Sequence, residues 1–242
     1  MKSNASEAVS RFLSLCAALL TSAYLTQPAG AADPLPRLLP EALEIDLALS
    51  AAPDRLRADA GVYVLRRGGF VEVKKAANHF SCFVVRTVPR FDVPSPDALI
   101  PICFDDEGMR TVAPRHFDTA AWIEAGVSPA EIRDRIAANF ADGTYTAPAQ
   151  PGTSYMISPI LNLPDGEGGI WNYPPHFMFY APGLTNGEQD AVPDRGDGWL
   201  PWINNEGPHG MYIVPLGQAE RDLVRQEHSE LIRAVEAFLS ES

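Results

Sequence analysis

The sequence predicts an α+β fold: an antiparallel β-sheet, begun as a meander, packed with N-terminal, central and C-terminal helices. Three observations predict it. Residues 61–86 hold three strand-like runs in succession, the first two separated by Gly68-Gly69. Helical apolar spacing at 41–51 and 218–239 brackets a strand-rich middle. Between them Ser128-Pro129-Ala130-Glu131 is a capping box with proline at the first helical position, which starts one central helix.

Each element follows from local chemistry. Ala42, Leu43, Ile45, Leu47 and Leu49 mark the first helix, and Pro53 stops it because the residue before a proline avoids the helical region. Residues 54–58 add one turn. The run 61–67 is rich in β-branched and aromatic residues, 70–75 alternates apolar and polar, and 80–86 is a third strand carrying Cys82. After a proline-studded connection, 99–104 reads as a short strand with Cys103, and Asp105-Asp106-Glu107-Gly108 as an acidic turn. The central helix runs to about 140 and stops near Asp142-Gly143. Strands are expected at 153–158, 176–181 and 211–215, with long loops of Gly, Pro, Asp and Asn between them. The last helix sets Leu223, Val224, Leu231, Ile232, Val235, Phe238 and Leu239 on one broad face.

The first 31 residues form a pattern of a different kind. Lys2 and Arg11 precede an apolar run over 12–25, followed by the small-residue site Ala29-Gly30-Ala31. A basic region, a short apolar region and a small-x-small site make a cleavable signal peptide. The run is shorter than the roughly 20 residues a membrane span needs, and Leu15 before Cys16 argues against a lipoprotein. Residues 32–242 are then one α+β domain, exported to the periplasm or secreted, with no stable membrane anchor after cleavage.

Charge and cysteine content narrow the partners. The chain carries 31 acidic and 19 basic residues, net −12, and losing Lys2, Arg11 and Glu7 makes it one unit more negative. Nucleic-acid affinity depends on Lys and Arg neutralising phosphates, so no nucleic-acid partner is expected. Cleavage also removes Cys16, leaving Cys82 and Cys103. Outside the cytoplasm two cysteines read as a disulfide, with separate buried thiols as the alternative.

Residues capable of chemistry fall in several groups. Pro175-His176-Phe177-Met178 and Pro208-His209-Gly210-Met211 open two expected strands, and i, i+2 spacing puts His176 with Met178 and His209 with Met211 on one face. On neighbouring strands these four side chains suit copper. The plainer reading is that the methionines fill the core and each histidine meets a backbone carbonyl. A third arrangement is a hydrolase-like site of His176, His209 and Glu206. Trp171, Tyr173, Tyr180, Trp199, Trp202 and Glu206 lie in or beside the loops 163–175 and 183–208, where they either line a ligand pocket or pin the loops down. The acidic stretches at 105–108, 165–169 and 194–198 read as solvated turns, with calcium loops as the rarer option. Ser81 and Ser158 lack a nucleophile motif. His79 lies near Cys82, which cannot act as a nucleophile once bridged. His116 reads as a loop residue and His228 as a packing residue of the last helix.

The stretches ALSAAP (48–53), VYVL (62–65), FSCFVVR (80–86), PICFDDEG (101–108), SYMISP (154–159) and PHFMFYAP (175–182) resemble a family of exported bacterial proteins with no established activity. The resemblance spans most of the chain after the leader and implies export and an α+β domain. It implies no mechanism. The expectation is a non-enzymatic envelope protein that binds a small molecule or a partner, with the copper protein and the hydrolase-like enzyme as alternatives.

Overall fold

Eight strands hydrogen-bond into one mixed, mostly antiparallel sheet, with helices packed on both faces. The computed structural model describes residues 35–86, 97–164, 169–189 and 201–241. The leader, Trp199, and nearly all of the acidic stretches at 165–169 and 194–198 lie outside those residues. In chain order the elements are α1 (Glu41–Leu49), α2 (Asp54–Arg57), β1 (Gly61–Arg66), β2 (Gly69–Lys74), β3 (Phe80–Val85) and β4 (Ile100–Asp105). There follow α3 (Asp106–Thr111), α4 (Ala113–Glu124), α5 (Pro129–Ala141), β5 (Thr153–Met156), β6 (Asn162–Pro164) and β7 (Ile170–Asn172). The chain closes with β8 (His176–Tyr180), β9 (Trp202–Asn204), β10 (Met211–Pro215), α6 (Gln218–Glu227) and α7 (Ser229–Ser240). The large sheet runs β2-β1-β3-β4-β5-β8-β10-β9, and β6-β7 is a separate hairpin.

The hairpin at Gly68-Gly69 is present, both glycines holding positive φ (93° and 125°), where a side chain is strained. The expected meander is not continued. β3 passes to the far side of β1 and pairs with it in parallel, Val62 opposite Cys82. Cys82 also lies opposite Cys103 on β4, and their sulfurs are at disulfide distance, 2.00 Å.

Strand alternation sorts the apolar residues into two cores. One face presents Val62, Val64, Cys82, Val84 and Cys103 to Leu47 and Ala48 of α1 and Val235 of α7. The other presents Phe83, Ile102, Phe104, Met156, Met178, Met211 and Ile213, covered by Val112, between α3 and α4, and by Ala113 and Phe117 of α4. Beneath the first face Glu44 accepts the Leu65 N–H at 2.9 Å. Nearby Arg86, also buried, donates to the carbonyls of Ala98 and Arg37.

Three helical expectations change. The acidic stretch 105–108 is neither a turn nor a calcium loop: Asp105 caps α3, accepting the Gly108 N–H. Residues 113–124 are a helix, with Pro114 in its first turn, so His116 is helical and not in a loop. The single C-terminal helix is two, broken at His228.

Candidate ligand-binding site

The two His-Met strands are neighbours, yet they do not converge. β8 and β10 pair antiparallel, with His176 opposite Pro215 and Tyr180 opposite Met211. Four residues of strand, about 14 Å, separate those two pairs, and His209 lies beyond the far one. Each histidine meets a backbone carbonyl, His176 Nδ1 that of Pro174 at 2.8 Å and His209 Nε2 that of Thr146 at 3.0 Å. Met178 and Met211 are core residues. Among the described residues no group of three or more His, Cys, Asp or Glu is placed to hold a metal. Glu206 is exposed and accepts from the backbone N–H and side-chain amide of Asn186. The geometry therefore brings together neither the four His and Met side chains nor His176, His209 and Glu206.

The late aromatics divide in the same way. Trp171 and Tyr173 meet edge to face at 4.6 Å, and Tyr173 packs on His176 at 5.0 Å and on Trp202 at 5.6 Å. Tyr173 and Trp202 are buried, so these rings pack into one end of the core. Tyr180 stands at the other end of β8. Its hydroxyl donates to Asp105, which also accepts the N–H groups of Gly108 and Thr153. Gly108 and Gly152 make that junction possible, because a Cβ on either would run into Tyr180.

At this same end of the sheet lies a polar group that the sequence reading passed over. Ala181 N–H bonds to the carbonyl of Gly210, which brings the turn carrying His209 beside Tyr180. His209 packs edge to face on Phe140 of α5 at 4.7 Å. His116 projects from α4 onto Phe104 and Phe83, with centroids at 6.2 and 6.0 Å. Arg115 precedes it in the first turn of α4 and interacts electrostatically with Tyr145, His116 and His209. The Tyr145 hydroxyl donates to Asp118 at 2.6 Å.

Arg115 and His116 are half-buried by area, yet loss of hydration is the largest influence on both. Desolvation, then the neighbouring Arg115 charge, holds His116 well below the ordinary histidine value. The same two causes, in the same order, bring His209 down to about 4. His176 falls to about 4 through desolvation. Because a carbonyl only accepts, His209 Nε2 carries the proton. Its Nδ1 is left a buried acceptor with no partner among the described residues. The cluster thus brings one guanidinium and two neutral imidazoles to this end of the sheet, with His209 against the ring of Phe140.

No protein-family model matches the chain, and neither curated proteins nor solved structures yield a match. The cluster itself left a faint trace in the sequence. Val112-Ala113-Pro114 is a helix start with proline near its first position, and reading it so would have set Arg115 and His116 on a helix. Nothing local marks Arg115 as desolvated.

Proposed function

We propose that the protein is an exported, non-enzymatic binder of a small molecule, received at the cluster of Arg115, His116 and His209. One observation carries the reading: His209 Nδ1 is buried with no partner among the described residues, and burial makes an unpaired polar group costly. Such an arrangement is maintained when a ligand completes it. Catalysis is the weaker alternative, because a general base works best with a pKa near the operating pH, and these imidazoles are held far lower.

The test is histidine side-chain ¹H–¹⁵N NMR during addition of a panel of neutral, cationic and anionic fragments. Expected are shifts of the His116 and His209 ring signals while exposed His79 stays still. A panel that moves neither ring refutes the reading.

Export is part of the same proposal. It is supported by the leader-like pattern of residues 1–31 and by the disulfide-distance pair. Among the described residues no helix is long and apolar enough to cross a membrane. Mature protein is expected to begin at Ala32, whereas cytosolic protein beginning at Met1 would contradict export.

A further inference from the structure

On the face of the sheet opposite α4, we infer a second small-molecule site: a cavity between α1 and the α6–α7 junction that takes an aliphatic molecule ending in a protonated amine. It does not depend on the Arg115 cluster, since α1 and α7 cover one core and α4 the other. The cavity measures about 450 Å³, within the usual range of small-molecule pockets. On α1, Leu43, Asp46 and Leu49 follow one another at three-residue spacing along its wall. Opposite them α6 stops and α7 starts at His228, and Leu231 and Ala234 of α7 form the other wall. Leu43, Leu49 and Leu231 are only partly buried against the core. Their remaining apolar surface is what an aliphatic chain covers.

The charge of the lining selects the head group. Three carboxylates, Asp46, Glu227 and Glu230, face one guanidinium, that of Arg57. Arg57 is already committed: it pairs with Glu227, lies 3.8 Å from Asp54, and donates through Nε to the Ala52 carbonyl at 2.9 Å. The other two carboxylates are poorly neutralised. Asp46 forms no ion pair with any described residue, and Glu230 reaches only Arg233, at 3.9 Å. An anion entering here meets net negative charge, whereas an ammonium answers it. His228 adds a further contact. Its Nε2 is buried with no hydrogen-bond partner among the described residues, and the Glu227 oxygen 3.7 Å away is the one Arg57 holds. Burial first, then the Arg57 charge, keeps this imidazole below the ordinary histidine pKa, so it is neutral at pH 7. A neutral imidazole carries its proton on either nitrogen, and an ammonium N–H beside Nε2 fixes that atom as the acceptor. A carboxylate and a neutral acceptor both suit a group whose polar hydrogens only donate.

The experiment titrates the whole protein with hexylamine, hexanol and hexanoate at pH 7.5 and low salt, following the histidine ring signals by ¹H–¹⁵N NMR. Hexylamine is expected to bind about three- to five-fold more tightly than hexanol, the size of a contact with an exposed carboxylate, and hexanoate more weakly than either. The preference should shrink in high salt. The His228 ring signals should move while those of His116 and His209 stay still. Asp46→Asn should abolish the preference for the amine and leave hexanol binding unchanged. Ala234→Leu, which narrows the cavity, should weaken hexylamine and hexanol alike. Both positions are exposed, and circular dichroism and thermal unfolding check that the variants fold. Hexanol or hexanoate binding as tightly as hexylamine, or Asp46→Asn keeping the preference, overturns the amine assignment. Hexylamine binding that leaves His228 unmoved, or that Ala234→Leu does not weaken, overturns the location. Failure of all three probes to bind overturns the site altogether, and each of these results leaves the Arg115 cluster to its own fragment panel.

Discussion

The Tyr180 hydroxyl donates to Asp105 Oδ1 at 2.5 Å, tying the end of β8 to the cap of α3. Burial and the Asp105 carboxylate together raise the Tyr180 pKa, so the phenol stays a donor throughout the working range. Asp105 also holds the N–H groups of Gly108 and Thr153, so one carboxylate aligns α3, β5 and β8. Tyr180→Phe is expected to cost about 1–3 kcal/mol. Asp105→Ala should cost more, because it also leaves the cap and Thr153 N–H unpaired. Urea unfolding of the two variants checks the order, and equal midpoints would contradict it.

The Cys82–Cys103 pair sits between α1 and the sheet, Cys103 Sγ lying 3.7 Å from the Ala48 carbonyl oxygen. Replacing both cysteines by alanine is expected to lower stability by roughly 2–5 kcal/mol. Thermal unfolding of the oxidised protein against the double variant reads this directly. Intact mass after thiol alkylation should show no label on either residue in exported protein.

Part of this was legible from local sequence and part was not. Gly68-Gly69 and Ser128-Pro129 announce a turn and a helix start because only neighbouring residues decide them. The strand at 80–86 was equally plain, but its parallel partner β1 is chosen by a crossing that no short window contains. His176 and His209 were read as opening two strands, and β8 and β10 are neighbours although His209 lies in the turn before β10; strand direction is decided by the chain between them, and antiparallel pairing drives the histidines apart. Arg115 went unnoticed because burial of a charge is a tertiary property. Its helix was hidden behind an acidic run and a proline that suggest a loop.

Glu44 and Arg86 form a second dependence between distant residues. Both are buried. Burial raises the Glu44 pKa, while the Leu65 N–H and the Arg86 charge oppose the rise. Burial lowers Arg86 to about 10. Arg86→Met leaves Glu44 without its compensating charge and should cost about 3–5 kcal/mol. Adding Glu44→Gln should recover a substantial part, measured by a double-mutant cycle. Strict additivity of the two changes would show that they are uncoupled.

Stability should also depend on pH through His176 and His209. Both are held near pKa 4 in the folded chain against an ordinary 6.5. Between those values the unfolded state binds more protons, so stability is fully present above about pH 6.5 and drains as pH falls toward 4. Each histidine contributes up to roughly 3 kcal/mol of that loss. Urea unfolding at pH 7, 5.5 and 4.5 should show a shallower decline for His176→Gln than for the unaltered protein. Parallel declines would contradict the depressed value.

The Arg115 cluster is tested most directly by diffraction from crystals soaked in 4-bromobenzoate, with the bromine located by its anomalous signal. The expected map places the bound molecule beside Arg115 and His116, with its ring near Phe140. Bromine ordered only at other places, with Arg115 untouched, would contradict the assignment of this cluster as the binding site.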